Sequence, residues 1–178
     1  MGGDSGQLEF LHRGTCRVCD GTDVEQVLSL GPTPLANAFL RSPDEFASER
    51  RFPLDLYVCR HCALVQLLDV VDPETLFRHY LYVTGTSTTM ADHNRAYART
   101  VSDLIGLEPA ELVVEVASND GSLLGCFASL GATTLGVEPA RNLAALASAS
   151  GIETIGDFFT RELAGRIRTT RGAARLVL

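Results

Sequence analysis

The tightest constraint on this chain is a spacing that occurs twice: Cys16-Arg17-Val18-Cys19 and Cys59-Arg60-His61-Cys62. Two residues between thiols let a tight turn aim both sulfurs at one point, and two such turns complete a tetrahedron. Zinc held by four thiolates is the site this geometry suits, so Cys16, Cys19, Cys59 and Cys62 are the expected ligands. A closed four-thiolate shell has no open position for water, which makes the expected role structural. Unrelated core thiols do not account for two identical spacings, and a redox dithiol needs only one such pair. His61 is a bystander, because four sulfurs already fill the shell. The pairs are 39 residues apart (59 − 19 − 1), more than a compact zinc ribbon needs, so the intervening loop is expected to have a role beyond closing the site.

Composition narrows the class. Of 178 residues, 22 are acidic and 15 basic, giving a formal charge of −7, and every basic residue is arginine. That balance argues against a nucleic-acid partner bound through a basic surface. No apolar run approaches the roughly 20 residues a membrane-spanning helix needs, so no membrane partner is expected. The start of the chain carries Asp4 and Glu9 and lacks the basic and apolar regions of a secretory signal. Five cysteines without such a signal fit a reducing, cytoplasmic compartment in which thiols stay available to metal.

Three segments are expected: a metal module over 1–69, a helical linker over 70–109, and an α/β region over 110–178. In the first, 24–30 reads as a strand, Gly31-Pro32-Thr33-Pro34 as a break, and 53–58 and 63–68 as strands flanking the second cysteine pair. Asp72 caps a short helix begun by Pro73, with Leu76 and Phe77 facing inward. A helix over 90–104 would bury Tyr97, Val101 and Leu104. From Ala110, strands at 112–117, 133–137, 152–155 and 175–178 alternate with helices at 122–130, 141–150 and 161–168. This rhythm predicts parallel strands with right-handed crossovers, a doubly wound α/β sheet. Cys126, among Leu123, Leu124 and Phe127, reads as core. A sheet ending in a fourth strand at Leu178 suggests a C-terminally truncated protein.

The first sheet strand runs into Glu115-Val116-Ala117-Ser118-Asn119-Asp120-Gly121. A dinucleotide fingerprint wants glycine at the first two turn positions so that a pyrophosphate can reach the backbone. Ala117 and Asn119 stand there instead, which favours a ligand without a pyrophosphate. Glu138, followed by Pro139, ends the second strand and is placed to accept from both hydroxyls of a ribose. Asp157-Phe158, after the third strand, suits an adenine: the carboxylate accepts from the exocyclic amine and the ring covers a face. The plain alternatives are an N-cap for Asp120 and a solvated carboxylate for Glu138. The three features nonetheless fall at successive strand ends, where such folds bind ligands.

The 115–121 run resembles motif I of class I S-adenosylmethionine-dependent methyltransferases, in its Ser-Asn-Asp-Gly variant. With the four-cysteine module, Pro34-Leu35-Ala36-Asn37, Val65-Gln66-Leu67 and the stretch from Tyr80 to Ser87, the chain resembles the nucleotide-sugar C-methyltransferases. The resemblance spans 16–178 and implies a Rossmann-like domain behind a structural zinc module. It implies S-adenosylmethionine as donor, bound by Glu115, Ala117, Ser118, Asn119, Asp120, Gly121, Glu138, Pro139, Asp157 and Phe158. It further implies methylation at C-3 of dTDP-4-keto-2,6-dideoxyhexoses in the making of antibiotic deoxysugars. A proton beside the C-4 ketone is acidic because the enolate delocalises onto oxygen; once a base removes it, the carbon attacks the sulfonium methyl. Tyr82 is the candidate hydroxyl near the reacting carbon, with Tyr80 second and His93 on the following helix third. The resemblance further implies that the family's general base, a histidine, and its sugar-nucleotide domain would lie beyond Leu178. The competing expectations are a zinc-stabilised adaptor without catalysis and a methyltransferase for another small molecule.

Overall fold

The computed structural model describes residues 10–178. The reading of Asp4 and Glu9 against a secretory signal lies outside those residues. The chain divides into two compact units, one ending at Leu76 and the other spanning Phe77–Leu178.

The first unit is built from short antiparallel strands. β2 (Val24–Pro34), β3 (Arg51–Cys59) and β4 (Val65–Leu67) form one sheet in the order β2-β3-β4. β1 (Phe10–His12) pairs with β5 (Asp69–Val71) in a second ribbon. Strand β2 continues through Gly31-Pro32-Thr33-Pro34, where a break was expected. Its register slips between Gln26 and Leu28 and again between Ser29 and Pro32, and Gly31 takes φ +71°. β2 is an edge strand, so a proline costs it no ladder bond on the open side, and the bulge absorbs the misfit.

The buried apolar residues of this unit are Cys16, Phe52, Cys59 and Leu68 among the described residues. Two of the four are candidate metal ligands. So small a core supplies little hydrophobic stabilisation of its own.

α1 (Pro73–Phe77) starts as expected, with Asp72 Oδ1 accepting from the Glu74 N–H at 3.1 Å. Phe77, expected to face inward, is instead 40% exposed, because the helix ends on it.

The second unit is a four-stranded parallel sheet. β6 (Leu112–Val116), β7 (Thr133–Val137), β8 (Thr154–Ile155) and β9 (Leu176–Val177) lie in the order β8-β7-β6-β9. α3 (Ser122–Ser129) and α4 (Arg141–Ala149) connect the first three strands, and α5 (Arg161–Arg171) leads into β9. One face buries Val113 with Leu124, Phe127, Ala147 and Ile152; the other buries Leu112, Val114, Leu135 and Val137 with Leu163 and Ile167. Helices therefore cover both faces, and the winding direction reverses at β6. The crevice at the carboxyl end of β6 is the place where this topology binds ligands.

α2 (Thr88–Ile105) joins the first face through Ala98 and Val101. Tyr97 and Leu104 were expected inside with Val101. Leu104 is instead 81% exposed, and the helix is turned so that the small Ala98 permits close approach. No described helix is long and apolar enough to cross a membrane.

Candidate metal centre and strand-tip site

The two cysteine turns fold alike. Asp20 N–H donates to the Cys16 carbonyl and Ala63 N–H to the Cys59 carbonyl, at 3.1 and 2.8 Å. The residue after each second cysteine, Asp20 and Ala63, takes a left-handed φ of 54° and 61°. The return bonds also match: Cys16 N–H reaches the Gly21 carbonyl and Cys59 N–H the Leu64 carbonyl, both at 2.9 Å. The repeated conformation turns four sulfurs inward.

Cys16 and Cys62 Sγ lie 3.6 Å apart, as do Cys19 and Cys59 Sγ, and all four sulfurs fall within 4.8 Å of one another. A zinc–sulfur distance of about 2.3 Å in a tetrahedron puts sulfurs about 3.8 Å apart, so the cluster fits zinc. Backbone N–H groups of Cys19 and then Val18 hold the Cys16 thiol down at about 6. Cys19 is pushed up to about 12: against the Gly21 N–H, burial and the neighbouring sulfurs dominate. Four sulfurs this close resist sharing negative charge unless a cation sits among them. Gln66 buttresses the first turn, its Oε1 accepting from Arg17 N–H at 2.9 Å.

In the second unit, β6 stops at Val116 because Ala117 enters the left-handed region at φ 58°, followed by Asn119 at 53° and Gly121 at 75°. Asparagine tolerates that region and glycine prefers it; alanine does not. Gly121 has a second reason to lack a side chain, since a Cβ would approach Ile152 to 3.0 Å. The turn is fastened to the neighbouring strand by Ala117 N–H donating to the Val137 carbonyl at 2.8 Å.

Glu138 closes the turn from the tip of β7. Its Oε2 accepts from Asn119 N–H and its Oε1 from Ala140 N–H, each at 2.8 Å, and the residue is 5% exposed. Each oxygen keeps a further lone pair. Beneath the turn, Glu115, Gly136 and Thr154 stand in register on one face of the sheet. The missing side chain of Gly136 makes room for Ser118, whose Oγ would lie 2.5 Å from a Cβ there. Ser118 Oγ and Glu115 Oε2 are buried without a hydrogen-bond partner. Burial, then the charges of Asp120 and Glu138, push the Glu115 carboxyl up to about 7.

Residues 16–77 match the family model Methyltransf_13, whose description is "Putative zinc binding domain". The four clustered cysteines lie inside that segment, and the chain has the expected order of a zinc-binding module followed by a parallel α/β sheet. The chain is 44% identical over 162 residues to the C-methyltransferase NovU of Streptomyces niveus, an alignment covering 91% of this chain. It spans 39% of the length of that relative. Among solved structures it resembles magnesium protoporphyrin IX methyltransferase from Synechocystis PCC 6803 with bound SAM, at 17% identity, 39% of either chain and a TM-score of 0.33.

Beyond the zinc domain, the strand-tip residues named from sequence fall into two groups. Glu115, Ala117, Ser118, Asn119, Asp120, Gly121 and Glu138 converge on one turn, with Pro139 next to Glu138. Asp157 and Phe158 lie one strand further along, beyond β8. Asp157 Oδ1 accepts from Phe158 N–H at 2.8 Å and from Arg78 at 3.3 Å; those two donors, in that order, hold its carboxyl below the usual range. The Arg78 guanidinium sits 4.5 Å over the Phe158 ring.

Tyr82 is 51% exposed, and its carbonyl accepts from Asn119 Nδ2 at 3.0 Å. Tyr80 is half-buried beside Asn142. His93 lies on the exposed side of α2, its ring 6.2 Å from that of Tyr97. Asp120 is not the N-cap of α3, a position held by Gly121, but its Oδ1 accepts from Ser122 N–H at 3.2 Å. Sequence reasoning passed over Arg78, Asn142 and Gly136, whose roles arise only once three strands lie side by side. A glycine inside the strand run Thr133–Val137 was the one signal available.

Proposed function

We propose that the chain supplies the zinc module and methyl-donor turn of an S-adenosylmethionine-dependent C-methyltransferase. The supporting observation is the bond between Asn119 N–H and Glu138 Oε2, which brings the turn and the candidate ribose carboxylate into one crevice at the reversal point of the sheet. The similarity to a C-methyltransferase extends through both units, which favours carbon as the atom methylated.

Bound there, the donor would supply an electrophilic sulfonium methyl, and the protein's task is to position and stabilise. Ala117 to Gly121 and Glu115 line the methionine side, Glu138 with Pro139 the ribose, and Asp157 with Phe158 the adenine. The buried, unpartnered oxygens of Ser118 and Glu115 are acceptors suited to the donor's ammonium end. The acceptor is a small molecule, a nucleotide-linked 4-keto-deoxysugar methylated at C-3 on an antibiotic route. The 70–109 segment contributes its lining, with Tyr82, then Tyr80 and His93, as the hydroxyl and imidazole nearest the reacting carbon. The base and the rest of the sugar site come from sequence beyond Leu178, and the four thiols suit a cytoplasmic enzyme.

Titration calorimetry with S-adenosylmethionine on full-length protein tests the donor. Saturable one-to-one binding is expected, and no heat at millimolar ligand removes this reading. Solvent deuterium appearing at C-3 of a 4-keto-deoxysugar nucleotide tests the acceptor chemistry. An active enzyme that exchanges no deuterium does not use an enolate.

A further inference from the structure

Residues 78–85 run along the carboxyl ends of three neighbouring strands and are bonded at each. Beyond β8, the Arg78 side chain meets Asp157 and covers Phe158. Beyond β7, Arg141 N–H donates to the Arg78 carbonyl at 3.2 Å, and Asn142 pairs with both backbone groups of Tyr80. Its Oδ1 accepts from Tyr80 N–H at 3.2 Å and its Nδ2 donates to the Tyr80 carbonyl at 2.6 Å. Beyond β6, Asn119 repeats the pattern: Nδ2 donates to the Tyr82 carbonyl and Oδ1 accepts from Thr84 N–H, both at 3.0 Å. Asp120 Oδ2 then takes Gly85 N–H at 2.9 Å, an approach so close that a Cβ on Gly85 would lie 2.3 Å from that oxygen.

A carboxamide carries the donor and acceptor of a peptide group, so each asparagine pairs with this segment as an adjacent strand would. Two such pairings, spaced two residues apart along the segment, fix its path over the crevice without giving it regular structure. Asn119 has a double part. Its backbone N–H is held by Glu138 inside the donor turn, while its side chain holds Tyr82 and Thr84 outside it.

From this we infer that residues 78–85 form the roof of the donor site, and that Asn119 and Asn142 are positioning residues that hold the roof and its two tyrosines over it. The inference rests on the donor reading above. The Arg78 guanidinium, flat and donating to Asp157 over the Phe158 ring, presents there the same chemistry as an adenine amine. It is therefore the group a bound nucleobase must displace or stack against.

The test uses full-length protein, S-adenosylhomocysteine as probe, and Asn142→Asp, which keeps shape but loses the donor to the Tyr80 carbonyl. Hydrogen–deuterium exchange over 78–86 should speed up about tenfold, exchange across α4 should stay as in the parent, and affinity for the probe should fall five- to tenfold. Unchanged affinity with a loosened 78–86 overturns the roof and leaves the donor reading standing. Unchanged exchange in that segment overturns the positioning role of Asn142. A parent protein that does not bind the probe overturns the donor reading and the roof with it. If Asn142→Asp misfolds, Asn142→Ala, which suits the helix and removes both bonds to Tyr80, provides the same comparison.

Discussion

The backbone N–H of Asn119 and the carboxylate of Glu138 meet at 2.8 Å, joining the turn after one parallel strand to the tip of the next. The same carboxylate holds Ala140 N–H at the entry to α4. One buried side chain thus satisfies two backbone donors that neither strand can satisfy, and it does so with charge-assisted bonds.

Glu138→Gln keeps one acceptor oxygen and sets an NH2 against the other N–H. Urea unfolding followed by far-UV circular dichroism should show a loss of about 1.5–3 kcal/mol. An unchanged midpoint means that Glu138 does not fasten the turn.

Glu115 keeps its proton to higher pH than a free carboxyl, pushed from 4.5 up to about 7 by burial and then by the charges of Asp120 and Glu138. A folded-state value above the unfolded one stabilises fully below pH 4.5, and the benefit is lost as pH rises through 7. Over that window this group alone withdraws on the order of 3 kcal/mol. Glu115→Gln, neutral throughout, should therefore match the parent near pH 4.5 and exceed it at pH 8 in denaturant midpoint. Parallel pH profiles for the two proteins count against a raised Glu115.

Chelation is expected to act on one unit only. Removing one zinc per chain with a strong chelator, or introducing Cys59→Ser, should open residues 10–76 to limited proteolysis while 77–178 stays protected. Metal analysis of protein purified under reducing conditions should find one zinc per chain. Equal protease sensitivity with and without metal argues against a metal-dependent first unit.

Gly136→Ala places a methyl 2.5 Å from Ser118 Oγ and 2.9 Å from Thr154 Oγ1. The expected cost is about 1–3 kcal/mol of overpacking, with faster amide exchange in 117–121 as the turn is lifted. Ala117→Gly relieves a left-handed alanine and should stabilise by about 0.5–1 kcal/mol after glycine's greater unfolded-state freedom is counted. Calorimetric melting of both variants checks the two signs together.

The four-cysteine cluster was legible because a metal site dictates residue type and spacing, and local turns bring the sulfurs together whatever the rest of the chain does. Thr133–Val137 was legible to the residue, since an uncharged, β-branched run between Gly131 and Glu138 bounds itself. The helix over 88–105 was legible as a helix but not in its rotation: Leu104 is apolar yet exposed, and the contact is set by Ala98, whose smallness is invisible to a search for large apolar side chains. The continuation of β2 through two prolines was hidden because edge position is a property of the sheet and not of the strand. The asparagine pairings of 80–84 join residues 35 to 62 positions apart, and no local pattern announces them.

Gly136 also limits how the crevice can be remodelled. Position 136 already carries the smallest residue there is, so no substitution at that point can make more room. Widening the floor of this crevice has to begin with Ser118 or Thr154, the two hydroxyl residues that occupy the space a side chain there would need.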